Sequence, residues 1–479
     1  MRKVFKSLCL ILYVLHSSFS TIGQTAKVIK PDAIHKAWHE TEFYLFFHFG
    51  PNTYTDLEWG DGTETETLFN PKKLDCDQWC QIAKAAGAKG VIITAKHHDG
   101  FCLWPSSYST HTVRESKWRD GKGDVIKELS AACKKHGLKF GVYLSPWDRN
   151  HPKYGTPEYN DVYASTLTEL LTGYGELFEV WWDGANGEGP NGKSQVYDFP
   201  RFEKLVKQYQ PNAVIFSDIG PGCRWAGNEQ GTINETNWAM LDTAGFGRGV
   251  SGPPANILQA GQENGSAWIP AECDVSIRPG WFYHKAENEL VKSPEQLFEI
   301  YLNSVGRGAN LILNVPPNPD GRIDQNDSTN LVKFGEMIAQ AFDGNLALNK
   351  RSYCVGQFRP IPIRGLTDGN TESSYRLLRE IDGSFPSIEI DFGSLFNINC
   401  IKLCEQVFRS GQQVKSFKID VWVGNEWKEV ARSTTIGVRK ILRFPSSVAS
   451  KIRVTILEAR GGVELSEIEV YDARVGDPR

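Results

Sequence analysis

The stretch Val180-Trp181-Trp182-Asp183-Gly184-Ala185-Asn186 decides how this chain is read. Two tryptophans close a β-run, a lone aspartate follows, and Gly184 lets the backbone turn away, so Asp183 belongs at the end of a strand. In barrels of alternating strands and helices, the carboxyl ends of the strands carry the chemistry, because loops there vary without disturbing the packed interior. An acid walled by aromatic rings suits a sugar. The ring faces cover the C–H side of a pyranose while the carboxylate addresses its reactive carbon. The competing reading is an ordinary turn aspartate after a buried strand.

Working outward, the same rhythm recurs on both sides. Residues 42–50, apolar on both faces, read as a buried parallel strand ending at His48. A helix opens at Asp75, with Trp79, Ile82, Ala83 and Ala86 inward and Gly87 as its stop. Strand 90–95 runs into Lys96, His97, His98 and Asp99, and a helix from Asp124 to His136 is closed by Gly137. Strand 139–144 delivers Tyr143. Helix 162–173, the strand into Asp183, helix 202–210 and strand 213–217 continue the series. The glycine-rich passage 220–265 breaks it, with no obvious helix before strand 267–273; helix 294–305 and strand 311–315 restore it. Seven strands are evident, and an eighth is needed to close a (β/α)8-like barrel that carries some irregularity.

Past residues 342–345 the composition shifts. The short alternating runs I-E-I-D-F-G, C-I-K-L, F-K-I-D-V-W-V, K-I-R-V-T-I and I-E-V-Y follow, with turns between them and no helical period. They predict an antiparallel β-sandwich. The expected division is 1–23 signal peptide, 24–343 barrel and 344–479 sandwich. The first segment carries Arg2, Lys3 and Lys6, an apolar run too short to anchor in a bilayer, then small residues. That order predicts export, to the periplasm or beyond the cell. Ten cysteines, one of them inside that leader, leave an odd number with no paired C-x-x-C. Mostly free, buried thiols are expected, and the i, i+4 spacing of Cys76 with Cys80 and Cys400 with Cys404 suggests helix faces. No later apolar stretch is long enough for a membrane span. A formal net charge of −4 gives no footprint for nucleic acid, and the 14 Trp, 16 Tyr and 25 Phe fit either carbohydrate recognition or a large aromatic core.

The chemically suggestive residues of the first domain, His48, His97, His98, Tyr143 and Asp183, all fall at predicted strand ends. A glycosidase needs two carboxyl groups, one near the anomeric carbon and one protonated to serve the leaving oxygen. Asp183 supplies one; Glu58, Asp99, Asp148, Glu188 and Glu229 are candidates for the other.

The runs F-F-H-F-G-P-N-T-Y-T-D-L-E-W-G, T-A-K-H-H-D-G-F-C-L-W-P-S, G-V-Y-L-S-P-W, V-W-W-D-G-A-N-G and L-I-L-N-V-P-P-N resemble the α-L-fucosidases of glycoside hydrolase family 29 over about residues 30–340. The resemblance implies that Asp183 is the nucleophile of a retaining double displacement. It implies that His48, Glu58, Trp59, His97, His98 and Tyr143 hold the sugar and that Trp281 packs on the fucose methyl. The stretch R-W-A-G-N-E-Q-G is similar to the acid loop of the branch acting on α-1,3/1,4-linked fucose, which points to Glu229, with Trp225 as its apolar wall. Lewis-type glycans and 3-fucosyllactose are then the expected partners, ahead of a broad aryl-fucosidase activity. No cofactor is implied for catalysis. The C-terminal runs N-L-A-L-N-K, L-T-D-G-N-T, I-D-F-G and I-E-V-Y resemble galactose-binding-like modules of carbohydrate-binding family 32 and discoidin domains. That resemblance implies a structural calcium on Asp368, Asn370 and Glu469. Three rival readings stand beside these: a zinc hydrolase built on His48, His97, His98 and Asp183, another exo-glycosidase, and a non-catalytic glycan-binding protein.

Overall fold

The computed structural model describes residues 28–474, so the expected leader and its cysteine lie outside the described residues. The barrel strands are β1 (Phe43–Phe47), β2 (Gly90–Lys96), β3 (Lys139–Leu144), β4 (Glu179–Trp181), β5 (Val214–Ser217), β6 (Cys223–Trp225), β7 (Ala271–Ser276) and β8 (Asn310–Asn314). They pair in parallel, each with the next, and β1 pairs with β8 to close the ring.

The eighth strand is β6, inside the passage that carries no helical or strand period. β5 reaches it through residues 218–222 alone, with no crossover helix. The predicted strand 267–273 is in fact two pieces. Ala267–Trp268 pairs antiparallel with Met240–Leu241 outside the barrel, and only β7 enters it. A short helix, Ala255–Ala260, also lies in this passage.

The crossover helices are α2 (Cys76–Ala85), α3 (Val125–His136), α4 (Tyr159–Gly173), α5 (Phe199–Tyr209) and α6 (Pro294–Asn303). They are preceded by α1 (Ala33–His39) and followed by α7 (Gln325–Ala341). Asp75 and Asp124 cap α2 and α3 through their side chains, and Gly137 closes α3 in the left-handed region. Each such N-cap is worth about 1 kcal/mol.

Side chains alternate across each strand. Phe43, Leu45, Phe47, Val180 and Trp182 face the helical ring, whereas Tyr44, Phe46, Trp181, Phe216 and Ile312 fill the barrel interior together with Trp38 from α1. Deep in that interior lie two fully buried carboxyls, Glu179 and Glu272. The Tyr44 hydroxyl lies within hydrogen-bonding distance of both, Trp38 Nε1 donates to Glu179 at 2.9 Å and Trp181 Nε1 to Glu272 at 2.7 Å.

The C-terminal region folds as predicted into an antiparallel β structure, but its runs merge into long, bent strands. These are β9 (Arg351–Val355), β10 (Ile361–Ile363), β11 (Tyr375–Leu377), β12 (Ser387–Glu405), β13 (Val414–Val423), β14 (Glu426–Thr434), β15 (Lys440–Ala459) and β16 (Val463–Tyr471). The register of β12 against β15 shifts between Asp391 and Phe396. The first half of β12 pairs with β9 and the second half with β16, so one strand serves both layers around a separate core. Cys400 and Cys404 are therefore on a strand, not on a helix as their spacing suggested; Cys76 and Cys80 are on α2. All nine described cysteines are free and buried. No helix among the described residues is long and apolar enough to cross a membrane.

Burial pushes Glu179 up from 4.5 to about 7, and burial, followed by the Glu179 charge, pushes Glu272 well above its ordinary range. A raised carboxyl pKa means that the stability gained from the protonated pair is complete below pH 4.5 and is lost as pH rises through about 7. Glu179→Gln should therefore flatten the fall in Tm between about pH 5 and pH 8 relative to the parent. Equal slopes in the two thermal-melt series would contradict a titrating pair.

Candidate active site

At the carboxyl ends of the strands lies a cavity of ≈ 160 Å³ lined by Phe46, His48, Glu58, Trp59, His97, His98, Tyr143, Trp181, Asp183, Ala185, Glu229, Asp274 and Trp281. Every residue assigned to the site of the first domain from sequence is among them. Asp183 sits two residues beyond β4 on the inward register of Glu179 and Trp181. Its Oδ1 accepts the Ala185 amide at 2.7 Å and its Oδ2 accepts the Tyr143 hydroxyl at 3.1 Å. Gly184 is required by proximity: a Cβ there would meet the Asp218 carboxylate at 2.2 Å. Asp218 is an acid missed from sequence, and its pKa is pushed up to about 6 by burial and then by Asp183.

The floor is aromatic. Trp181 stacks on Phe216 with centroids 3.9 Å apart and on Tyr143 at 5.2 Å. Burial, and next the Asp183 charge, hold the Tyr143 phenol far above its ordinary range, so it remains a donor.

The histidines are neutral. Burial lowers His48 and His98 to about 4 and His97 well below its usual value. His48 Nδ1 pairs with Asn314 Oδ1 at 2.9 Å, and His98 Nδ1 with Ser145 Oγ at 2.7 Å. The serine hydroxyl itself donates to the Trp147 carbonyl, which assigns the ring hydrogen of His98 to Nδ1. His97 Nδ1 has no protein partner. His48 and His98 are thereby each oriented with Nε2 left for a ligand hydroxyl, an arrangement that suits a polyol.

Glu58 accepts the Trp281 amide at 2.7 Å, the Phe282 amide at 3.2 Å and His284 Nε2 at 2.6 Å, locking the first βα loop to the loop after β7. The Trp281 indole donates to Glu229 Oε2 at 3.3 Å. Trp59, 53 % exposed, stands edge-on to His98 and Trp147 at the rim. Among the candidates for the second acid, only Glu58 and Glu229 line the cavity. Asp148 is buried against Lys96 at 3.0 Å, Asp99 accepts the Phe101 amide, and Glu188 uses its main-chain carbonyl to hold Trp147. The indole of Trp225, expected as a wall for Glu229, donates to Asp274 at 2.8 Å. The histidines and Asp183 do not converge as a ligand set. Among the described residues, the one group of three metal-type donors within 4.8 Å is Glu179, Cys223 and Glu272, deep in the barrel.

The sequence residues 16–341 match the family profile for Alpha-L-fucosidase. The chain belongs to the α-L-fucosidase family. It is 40 % identical over 471 residues to Alpha-L-fucosidase 1 of Arabidopsis thaliana, covering 95 % of this chain and 91 % of that one. A glycoside hydrolase 29 family member from an unknown rumen bacterium superposes with TM-score 0.82 at 40 % identity, covering 93 % of this chain and 78 % of that chain. A Ruminococcus gnavus GH29 fucosidase in complex with fucose does so with TM-score 0.82 at 30 % identity, over 92 % and 95 %. This fucosidase is a glycoside hydrolase with a (β/α)8 barrel and a C-terminal β-sandwich.

In the sandwich, Asp368 accepts the Asn370 amide and the Ser373 hydroxyl, and Asn370 Oδ1 accepts the Glu372 amide. Glu469, expected as a calcium ligand, is instead paired with Lys402 at 3.0 Å and takes the Tyr471 hydroxyl. The carboxyl that meets this loop is Glu467, 1 % exposed, beside Gly369 and Asp368 and pushed up to about 7 by burial. β16 carries both glutamates on one face, and two residues of register decide which reaches the loop. An orphaned buried carboxyl next to Asp368 is a donor set that fits a hard cation.

Asn314, two positions along β8 from the interior residue Ile312, fixes His48 through both its ring nitrogen and its amide. Asn314→Leu should release the ring. KM for a fucoside should rise about tenfold with a stability cost of about 1–3 kcal/mol, read from steady-state kinetics and thermal melts.

Proposed function

We propose that this fucosidase is a retaining exo-enzyme releasing fucose from α-1,3/1,4-linked branched glycans of the Lewis and 3-fucosyllactose type. The observation that carries the reading is that Asp183 and Glu229 line one cavity with the neutral histidines and Tyr143. A related family 29 fucosidase binds fucose, which supports a fucosyl occupant here.

In the first half-reaction the ionised Asp183 Oδ attacks the anomeric carbon. The bond to the aglycone oxygen breaks, and that oxygen takes the proton of Glu229. In the second, Glu229 as carboxylate removes a proton from water, whose oxygen attacks the same carbon and returns Asp183 as a free carboxylate. Two inversions retain the configuration. The Tyr143 hydroxyl donates to Asp183 and keeps the unused oxygen in place. Trp281 supplies an apolar face for the sugar and ties the acid loop to the ring-binding side.

Asp183→Asn should lower kcat by about 10³-fold or more on every fucoside. Glu229→Ala should be severe on 3-fucosyllactose, milder on an aryl fucoside with a good leaving group, and rescued by azide as an α-fucosyl azide, because azide takes the place of water in the second inversion. A β-configured azide product from Glu229→Ala would refute retention, and faster hydrolysis of 2'-fucosyllactose than of 3-fucosyllactose would refute the linkage assignment. For the sandwich, the reading keeps a structural calcium on the 368–370 loop with Glu467 in place of Glu469, and export of the mature chain. A chelator should lower Tm, and calcium restore it; Glu467→Gln should abolish that response.

A further inference from the structure

Asp274 is an inward-facing acid of β7 that neither the motifs nor the mechanism above employs. It is 4 % exposed and lines the same cavity as Asp183 and Glu229. Its surroundings tie it to the acid loop at two points. The Asp274 carbonyl accepts the Gly231 amide at 3.0 Å, two residues past Glu229, and Gln230 bridges to Val275. On the other side of the loop, the Asp274 carboxyl accepts the Trp225 indole at 2.8 Å, four residues before Glu229, and Ala226 donates to the Glu272 carbonyl at 2.9 Å. The irregular passage between β6 and β7 has no helix at this point, so these bonds to β7 fix the course of the Glu229 loop together with the Asn228 side chain, which bonds to Ala226, Gln230 and Thr232.

We propose that Asp274 is a positioning residue for the general acid, clamping the Glu229 loop from both sides and coupling electrostatically to its titration. The inference rests on Glu229 being the acid. Two carboxyls facing one cavity titrate as a pair, and the pair holds its last proton to a higher pH than one carboxyl would. Burial, and then the Glu229 charge, push Asp274 well above the ordinary carboxyl range, consistent with that coupling. The other titratable groups around it are Glu272 and Cys273 on its own strand, and Asp183, Glu58, Tyr143 and the neutral His48, His97 and His98 across the cavity. No cation lines the cavity, so a second ionised carboxylate beside Glu229 would meet no compensating charge there.

The coupling has a use in a double displacement. The acid must give up a proton in one half-reaction and recover one in the next. A neighbour that opposes a second negative charge keeps the pair singly protonated over a broad pH range.

The test compares Asp274→Asn, in which an amide oxygen can still accept from Trp225, with the parent enzyme across pH. The alkaline limb of kcat/KM on 3-fucosyllactose should move to lower pH by about one unit, with Tm little changed. The loss on 3-fucosyllactose should exceed that on 2,4-dinitrophenyl fucoside by about tenfold, because only the former needs a proton on its leaving oxygen. Trp225→Phe, which cuts the side-chain half of the clamp, should show the same substrate discrimination and serves if the asparagine variant does not fold. An unmoved alkaline limb in Asp274→Asn, or equal losses on the two substrates in the variant measured, would overturn the inference. Glu229→Gln separates this failure from that of the mechanism itself. If it retains full turnover on 3-fucosyllactose, Glu229 is not the acid. If it collapses while Asp274→Asn behaves as parent, only the role of Asp274 falls.

Discussion

The site stands on a pair of carboxyl groups that never meet solvent. Glu179 and Glu272 occupy the barrel interior with Trp38, Tyr44 and Trp181 donating to them, and Cys223 beside Glu179. Two charges there without a counter-ion would be prohibitive, so the pair keeps at least one proton and the rest of the bonding follows from that constraint. The indole that Glu272 fixes is the floor of the sugar cavity. Trp181 in turn supports Tyr143, and Tyr143 holds Asp183. A chain of contacts therefore runs from the buried pair to the nucleophile, each link a side chain with one permitted orientation.

The same scarcity of solvent governs the wall of histidines. Their burial keeps them uncharged, and a single polar partner for His48 and for His98 selects which nitrogen bears hydrogen. The outcome is a set of directed, neutral hydrogen-bonding groups around a small cavity. Charged groups would bind a hydroxyl-rich ligand less selectively and would compete with the negative Asp183. Glu58 works differently: its carboxylate is spent largely on main-chain amides and His284, so it sets the position of Trp281 as much as it offers an acceptor to a sugar.

Much of this was legible in the chain because it depends on local chemistry. Strand ends marked by His48, His97, His98, Tyr143 and Asp183 are read from runs of apolar residues that stop at a polar one, and Asp75, Asp124 and Gly137 advertise helix boundaries by their capping geometry. What escaped were inward-facing polar residues within strands. Glu272, Asp274 and Ser276 on β7, and Asn310 and Asn314 on β8, alternate with apolar residues packed on the helices, a period-two signal that marks them in retrospect. β6 escaped because it is three residues long and has no crossover helix to announce it. Glu469 rests on the resemblance alone; Glu467, two residues earlier on the same strand face, is distinguished from it only by the pairing of Glu469 with Lys402.

The sequence by itself determined the alternation of strands and helices, the acid after the paired tryptophans, and the change to an all-β region past residue 345. These follow from periodicity and turn chemistry between near neighbours. The tertiary structure alone decided which distant residues share the cavity: Glu229 beside Trp281, Glu58 bound to the loop after β7, and Asp274 beneath the acid loop. Those juxtapositions arise from closing the barrel and from main-chain bonds between an irregular loop and a strand far along the chain, and no local pattern encodes a distance of that kind.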